Sequence, residues 1–192
     1  MISGNTNVVI ADTNKDDVYR GSINKVIQNF SSKIVRMNQR DNYQLTLEDS
    51  IFIRDHFGWT KLNSIMKSKY SKWVKIISNL DGPTLIVSDN SYIPIYDIND
   101  TKIAFHGEVQ YHYKLKPVLE LTKNDIIHVR DPFISETENI TEFINIEGIE
   151  TYEELIDSYT LMTNSGFYTA NKIQIWCDDN HISKGKNKKL YK

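Results

Sequence analysis

Short stretches in which apolar and polar residues alternate recur along most of the chain. They predict β-strands, because successive residues of a strand face opposite sides of a sheet. The stretch Asn79-Leu80-Asp81-Gly82 separates two of them, and an Asp-Gly pair is typical of a tight hairpin turn. The predicted strands cover residues 8–10, 51–53, 57–66, 73–78, 84–87, 104–114, 159–163, 167–168 and 173–176.

Residues 104–114 give the clearest alternation, with aromatic and aliphatic residues on one face and polar residues on the other. His106, Glu108 and His112 share the polar face, which raises the question of a metal site. His106 and His112 are six positions apart, about 20 Å along a strand, so one ion cannot bind both. The pattern therefore predicts a solvated polar face and no metal ion.

Two segments depart from the strand pattern. Ile23, Val26, Ile27, Phe30 and Ile34 recur at helical spacing after Ser22, a plausible N-cap, and predict a helical segment near residues 22–37. Residues 131–157 break the strand pattern, and a capping Thr151 followed by two glutamates predicts a short helix near 151–157. We therefore expect an all-β domain with a helical insert at about 131–157.

Composition narrows the class of protein further. The chain has 192 residues with a net charge of −2, which fits one globular domain and not a protein built to coat nucleic acid. It has no long apolar run that would span a membrane, and its first residues are not typical of a secretory signal. The single Cys177 excludes a disulfide framework. We expect a cytoplasmic or virion-associated protein, not a secreted one.

Two charged features allow alternative interpretations. The acidic pairs Asp16-Asp17, Asp97 with Asp100, and Asp178-Asp179 lack calcium-loop spacing, so turn roles are expected for them. Residues 178–192 form a Lys-rich segment that is expected to be a flexible, solubilising tail. Contact of this tail with nucleic acid is the weaker alternative, through Lys184, Lys186, Lys188 and Lys189.

Four segments, in order, resemble the motifs of the Hint domains of inteins and Hedgehog-type autoprocessing proteins. Residues 1–6 read Met-Ile-Ser-Gly-Asn-Thr, and residues 87–96 read Val-Ser-Asp-Asn-Ser-Tyr-Ile-Pro-Ile-Tyr. Residues 121–127 read Leu-Thr-Lys-Asn-Asp-Ile-Ile, and residues 159–173 hold Tyr-Thr-Leu-Met-Thr followed by Ser-Gly-Phe-Tyr-Thr-Ala-Asn-Lys-Ile. The resemblance covers residues 1–177 and leaves no room for a homing endonuclease.

The resemblance implies a horseshoe-like β-fold in which the two ends of the domain meet. Inteins need this geometry, because both splice junctions must converge. Their chemistry uses an N-terminal Cys, Ser or Thr nucleophile, a Thr and His in the second motif, and a terminal His-Asn pair whose Asn cyclises.

This sequence differs from the family pattern at most of these positions. Met1 stands at the first nucleophile, and its thioether has no proton to lose. Ser88 replaces the second-motif Thr, and Ser91 replaces the His that would move a proton near neutral pH. The final His-Asn pair corresponds to Trp176 and Cys177.

Other positions fit the family pattern, although the late-motif Asp is replaced by Thr160. The matching residues are of the kind found in turns and at strand ends, which preserve a fold without supplying chemistry. They are Gly4, Asn5, Thr6, Asp89, Asn90, Asp125, Gly166 and Asn171.

Two functions remain open at this stage. The first is a non-enzymatic, splicing-inactive Hint-like domain, of phage origin, that binds a protein partner from a virion or a host and needs no cofactor. The second is an autoprocessing module that cleaves near Cys177, or through cyclisation of Asn180 beside His181. Neither of these two functions allows us to assign a catalytic residue. The candidate positions are Met1, Ser88, Ser91, Trp176 and Cys177.

Overall fold

The computed structural model describes residues 1–29, 34–35, 43–47, 49–56, 58–78, 82–103, 109–130 and 141–177. Strands dominate these ranges, as the alternating pattern predicts. They are β1 (Ile2–Ser3), β2 (Asn7–Asp12), β3 (Asp17–Ser22), β4 (Ile34–Val35), β5 (Tyr43–Thr46), β6 (Ile51–Asp55), β7 (Gly58–Ile77), β8 (Thr84–Ser88), β9 (Tyr92–Ile103), β10 (Val109–Pro117), β11 (Ile126–Arg130), β12 (Thr141–Asn145), β13 (Gly148–Thr163), β14 (Phe167–Ala170) and β15 (Ile173–Trp176). Helix α1 (Ile23–Val26), a 3-10 turn at residues 27–29 and a 3-10 turn at Val118–Glu120 complete the described elements.

The strands form three sheets. The largest runs in the order β13-β1-β8-β7-β6-β2-β3, and β5 joins it through β7. A four-stranded sheet has the order β12-β11-β15-β14, and β9 pairs with β10 in a two-stranded ribbon. Both the first and the last thirds of the chain contribute to the largest sheet, so distant parts of the sequence become neighbours.

The long pairing of β7 with β13 overturns the helix predicted near residues 151–157. β13 pairs with β7 over most of its length, from Gly148 opposite Ile77 to Thr163 opposite Leu62. Of the two glutamates that suggested a helix N-terminus, Glu153 is opposite Lys72 in this ribbon, and Glu154 lies at a register shift. Neighbouring acidic residues of β13 form ion pairs with lysines of β7. Asp157 accepts from Lys67 at 2.7 Å, and Glu150 accepts from Lys75 at 3.0 Å. Cross-strand charge pairing has therefore outweighed a local helix signal.

The helix predicted for residues 22–37 is also largely wrong. The α-helix covers only Ile23–Val26, and its N-cap Ser22 makes no side-chain capping hydrogen bond. Ile34–Val35 is a strand that pairs with β5. The spacing of Ile23, Val26 and Ile27 is real, since all three are buried, but one helical turn is enough to bury them. Residues 30–33 and 36–42 lie outside the described residues.

Most of the other predicted elements are found. β7 and β8 pair antiparallel, as expected for the strands on either side of the Asp-Gly signal, and residues 79–81 between them lie outside the described residues. The predicted strand 104–114 is found from Val109 onward, as β10, and residues 104–108 lie outside the described residues. Of the insert predicted at 131–157, residues 141–145 and 148–157 are strand, and residues 131–140 lie outside the described residues. The tail 178–192 also lies outside them.

Apolar side chains from the sheets meet in one core. Ile10, Ile53, Ile65, Val87 and Ile127 belong to it and are almost fully buried. Trp73 is buried as well, and its indole N–H donates to the Glu154 carbonyl at 2.9 Å. No helix among the described residues is long and apolar enough to cross a membrane.

Asp125 holds the turn that leads into β11. Its carboxylate accepts hydrogen bonds from the Lys116 ammonium at 2.7 Å and from the Thr122 backbone N–H at 2.6 Å. Burial raises the pKa of the Asp125 carboxyl, but the Lys116 and Thr122 donors outweigh this effect and leave it below the ordinary value of 3.8. The turn is therefore stabilised by the ionised carboxylate.

We expect Asp125→Asn to lower the free energy of unfolding at pH 7 by about 1–3 kcal/mol, because charge-assisted hydrogen bonds are lost. Since the folded-state pKa lies below the unfolded one, the loss should be full above pH 4 and should shrink as the pH falls below it. Urea unfolding at pH 7 and pH 3 measures the loss in the free energy of unfolding at each pH. Asp97→Asn, at an exposed register shift of β9 where Asp97 accepts from the Asn99 N–H, is the control and should change stability by less than about 0.5 kcal/mol. An equal cost of Asp125→Asn at both pH values would contradict the role of the charge.

Candidate functional site

The first residue of the chain and the end of β15 meet at one cavity. The cavity has a volume of about 130 Å³, and both Met1 and Cys177 line it. The other lining residues come from β7, the turn after β8, β13 and the last hairpin; they are Met66, Asn90, Ser91, Tyr92, Thr160, Leu161, Tyr168 and Trp176. We call this the junction cavity, because it joins the two ends that the sequence motifs predict to converge.

The pairing of β1 fixes one side of the junction cavity. β1 lies between β13 and β8, where Ile2 is opposite both Tyr159 and Val87. Ile2 is fully buried, so its burial anchors Met1 at the cavity. The other side is fixed by the last hairpin, where the Cys177 backbone N–H donates to the Gly166 carbonyl at 2.9 Å.

Hydroxyl groups surround the backbone of Met1. Its α-amino group donates to Ser91 Oγ at 2.9 Å, and its carbonyl accepts from the Ser88 backbone N–H at 3.1 Å. Ser91 Oγ also lies 3.4 Å from the same carbonyl oxygen. The Met1 thioether accepts from Ser158 Oγ at 3.8 Å. Ser91 thus stands at the α-amino nitrogen of the first residue, where the family resemblance places a His.

The side chains of the second motif, Ser88, Asn90 and Ser91, are hydrogen-bonded to one another. Ser88 Oγ lies 2.8 Å from Ser91 Oγ and donates to Asn90 Oδ1 at 2.7 Å. The neighbouring Asp89 accepts from the Tyr70 hydroxyl at 2.6 Å, and this hydrogen bond is the main reason that the pKa of Tyr70 rises to about 12. At neutral pH the network therefore positions hydroxyl groups without a group that exchanges protons readily.

Trp176 and Cys177 are both buried at the other side of the junction cavity. The Cys177 thiol lies 3.3 Å from Thr163 Oγ1, which donates to the Phe167 carbonyl at 2.9 Å. The Trp176 ring packs against Phe167 with centroids 4.7 Å apart. Both side chains are thus held by the last hairpin.

The structure brings together all five candidate positions, Met1, Ser88, Ser91, Trp176 and Cys177, and adds others that sequence reasoning missed. Ser158 and Thr163 contact Met1 and Cys177, and Met66 lines the cavity. The register signals them: Thr160 is opposite Met66, and Ser158 is opposite Ser3. A helix at residues 151–157 is incompatible with this pairing of β13, so the predicted elements do not give the register.

The chemistry available in the junction cavity is limited. Of the described residues that line it, none is a His, Asp, Glu, Lys or Arg. The polar groups are the Met1 α-amino group, the hydroxyls (the Tyr92 and Tyr168 phenols among them), the Asn90 amide, the Trp176 indole and the Cys177 thiol. Among the residues that the structure describes, no group of three or more His, Cys, Asp and Glu side chains could hold a metal ion. His106 and Glu108 lie outside the described residues.

Comparison with solved structures gives the same fold repeatedly. The TvoVMA intein superposes with a TM-score of 0.66 and 15% identity, covering 91% of this chain and 95% of that one. The transcription factor IIB Mvu mini-intein gives a TM-score of 0.65 and 12% identity, with 91% and 98% covered. A KlbA intein precursor from Methanococcus jannaschii gives 0.59 and 13%, with 97% and 96% covered.

These likenesses and the converging ends define the class: the chain has the Hint fold of inteins, at the size of a mini-intein without an endonuclease domain. The all-β Hint fold expected from the four motifs is therefore confirmed. Identities of 11–15% show the fold alone. No protein-family model and no curated protein matches the chain.

Gly166 allows the close packing on which this side of the cavity depends. Its φ is +79°, and a Cβ at this position would lie 2.9 Å from Trp176 Cζ3. A side chain here would meet both backbone strain and a steric clash with the indole.

We expect Gly166→Ala to destabilise the protein by about 2 kcal/mol or more, because both effects act together. Urea unfolding followed by circular dichroism measures the change. Gly148→Ala is the matched control, since its one tight Cβ contact would be with the flexible end of Ile77, Cδ1, at 3.1 Å. The control should cost less than about 1 kcal/mol. An equal loss of unfolding free energy in the two variants would contradict the importance of the contact between position 166 and Trp176.

Proposed function

We propose that this protein is a splicing-inactive Hint domain that now acts as a structural or binding unit. The observation that carries the proposal is the junction cavity: it is assembled as in a domain that joins two peptide ends, yet its described lining contains no His, Asp, Glu, Lys or Arg side chain, and its ionisable side chains are the Cys177 thiol and the Tyr92 and Tyr168 phenols. General acid–base help is typically worth about 10²–10⁴-fold in such reactions.

The N-terminal half of the reaction lacks its two main groups. Attack on a preceding carbonyl needs an ionisable O–H or S–H at position 1, and Met1 offers a thioether that accepts a hydrogen bond from Ser158. The nitrogen of residue 1 needs a proton donor during cleavage, and the group beside it is Ser91 Oγ, which accepts from the Met1 α-amino group at 2.9 Å. A Ser hydroxyl does not exchange protons near neutral pH as an imidazole does.

The C-terminal half lacks its groups in the same way. Asn cyclisation needs a side-chain amide, and Cys177 has none. Trp176 replaces the assisting His, and its indole N–H is only a donor. The Cys177 thiol is buried against Thr163 Oγ1, which favours a packing role for it.

The positions that match the family motifs support the retained fold instead. Asn171 links distant strands: its side chain accepts from the Asn7 N–H at 2.7 Å and donates to the Thr84 carbonyl at 2.7 Å. Gly4 packs so tightly on Asn24 that a Cβ would lie 2.2 Å from its amide nitrogen. We propose that maintenance of this scaffold, with its exposed strands free to bind a protein, is the present role.

The biological setting belongs to the same proposal. We propose a phage-derived protein of the cytoplasm or the virion that binds a virion or host protein. Exposed strands suit such binding, because main-chain groups at a sheet edge pair with an added strand without special side chains. Val18 on β3, the strand that ends the largest described sheet path, is 48% exposed and fits this mode.

One observation favours a second candidate, an autoprocessing module. Cys177 carries a thiol, and it shares the junction cavity with Met1. A thiol at converged ends is the kind of group that could support cleavage by an unusual route. This candidate predicts a mass change near Cys177 that the first does not.

We expect the protein, extended by short segments before Met1 and after Lys192, to keep its intact mass for a day at pH 7, with and without dithiothreitol. The physical reason is that Met1 offers no nucleophile at the first junction, and that no imidazole or carboxyl group in the described lining of the junction cavity can take the proton of the Cys177 thiol. Mass spectrometry of the purified chain measures this. The matched variant combines Met1→Cys, Ser91→His, Trp176→His and Cys177→Asn in the same extended chain, and we expect it to cleave.

A loss of mass at Met1, Cys177 or Asn180 in the unsubstituted chain would overturn the proposed inactivity. Cleavage in the four-residue variant alone would show that the scaffold still presents both junctions correctly. The comparison thus separates missing reactive groups from a scaffold that no longer aligns the ends.

A further inference from the structure

The strand β10 has one edge that no described strand pairs with. It forms a two-stranded ribbon with β9, from Val109 opposite Ile103 to Pro117 opposite Tyr92, and pairs with no other described strand. The backbone groups along such an edge can pair with a strand from another chain. We call this the outer edge of β10.

Hydrogen bonding at the end of the ribbon shows which backbone groups of β10 point outward. The Val118 N–H donates to the Ser91 carbonyl at 3.0 Å, directly beyond the last paired residues. In an antiparallel pair, residues that bond to the partner strand alternate with residues whose N–H and C=O point away from it. The even-numbered residues 112–116 therefore bond to β9, and the N–H and C=O groups of Tyr113 and Leu115 point outward. Pro94 fits this register, because it is opposite Leu115, where β9 needs no N–H for β10.

The even-numbered side chains at this edge are basic. They are His112, Lys114 and Lys116, and they lie on one face because alternate residues of a strand share a face. The Lys116 ammonium is held by Asp125 at 2.7 Å. Lys114 is exposed and makes no ion pair with a described residue. The outer edge thus offers one uncompensated positive charge between two sets of outward backbone groups.

The odd-numbered side chains give the opposite face an apolar character. The Tyr113 ring packs edge-on against Phe167, with centroids 5.4 Å apart, and Leu115 is half-buried. Leu119, just beyond the strand, is 60% exposed. Apolar side chains of an added strand would therefore find apolar cross-strand neighbours at Tyr113 and Leu115.

The charges at this edge argue against a second copy of the chain as its partner. If two β10 strands paired antiparallel through their outward groups, odd-numbered residues would lie opposite odd-numbered ones in every register. The basic residues His112, Lys114 and Lys116 of the two copies would then lie opposite one another. Like charges directly opposite each other destabilise a sheet, whereas opposite charges stabilise it. The edge therefore suits a strand with acidic side chains.

We propose that the outer edge of β10 binds an extended segment of a partner protein in which apolar and acidic residues alternate. The segment adds as a third, antiparallel strand: its backbone pairs with the outward groups of Tyr113 and Leu115, its apolar residues lie opposite these two, and an acidic residue lies opposite Lys114.

This proposal rests on the binding role proposed above and names the surface and the kind of partner. The intact mass tests the inactivity of the junction cavity, and peptide binding tests the outer edge of β10. Failure of one is therefore distinguishable from failure of the other.

The peptide Thr-Val-Glu-Val-Glu-Val-Thr, with both ends blocked, is the probe. Fluorescence anisotropy measures its affinity, and amide hydrogen exchange followed by nuclear magnetic resonance locates the contact. We expect the Tyr113 and Leu115 amides to exchange rapidly in the free protein and at least about tenfold more slowly with saturating peptide. The His112 and Lys114 amides, which bond to β9, should be protected in both states. No binding at about 1 mM peptide, or no slowing at Tyr113 and Leu115, would overturn the proposal.

Charge reversal tests the acidic character of the partner. Lys114→Glu should weaken binding of this peptide about tenfold and should strengthen binding of the peptide with Lys in place of Glu. Lys25→Glu, at an exposed position of α1, changes the net charge equally and should leave both affinities unchanged. Equal weakening by the two substitutions would indicate attraction by the overall charge and would contradict the proposed contact.

A pair of proline substitutions tests which edge accepts the peptide. Leu115→Pro removes an outward N–H, a change that edge strands tolerate, and should weaken binding at least about tenfold. Val18→Pro on β3 is the matched control: its N–H also points outward, because the Ile23 N–H bonds inward to the Thr6 carbonyl at 2.9 Å. The control should bind as the unsubstituted protein does. Binding lost in Val18→Pro and kept in Leu115→Pro would place the partner at β3 and refute this proposal, while leaving the binding role itself in place.

Two measurements cover the remaining cases. If Leu115→Pro does not fold, amide exchange in the unsubstituted protein and the affinity of Lys114→Glu still decide the outcome. Light scattering reports the oligomeric state of the protein without peptide. A dimer that dissociates in Leu115→Pro would identify a second copy as the occupant and would overturn the proposal.

Discussion

The placement of β1 between β8 and β13 is the constraint on which the rest of the structure depends. Ile2 is opposite Val87 on one side and Tyr159 on the other. The two-residue strand β1 therefore pairs with a residue 157 positions later in the chain, Tyr159. Burial of Ile2 makes this arrangement favourable, and Met1 is then placed beside Ser91 and Ser158. The junction cavity is thus a consequence of strand pairing and not of any catalytic group.

The same scaffold supports two regions of opposite character. On one face of the last hairpin, the junction cavity contains hydroxyl, amide, indole and sulfur groups near the chain ends. On the other face, ionisable groups are buried together around His56. The last hairpin thus lies between a cavity whose described lining has no His or carboxyl side chain and a region in which such side chains are buried together.

Motifs predicted the fold class better than periodicity predicted its elements. The four segments implied converging ends and an all-β fold, and both are found. Local signals failed where long-range pairing decided: Thr151 and the following glutamates favour a helix in isolation, but Lys67 and Lys75 on β7 pair with Asp157 and Glu150 on a strand. His56 and its partners gave no sequence signal, because their contacts join residues up to 113 positions apart.

The central role of β7 has a consequence for how the chain folds. This one strand pairs with β5, β6, β8 and β13, yet its longest partner is synthesised some 70 residues later. Distant contacts carry a large loop-closure cost and slow the search for the native state. During synthesis on the ribosome, β7 can therefore pair with β5, β6 and β8 first, and its pairing with β13 forms only after β13 has been synthesised. β1 can pair with both β8 and β13 only after that.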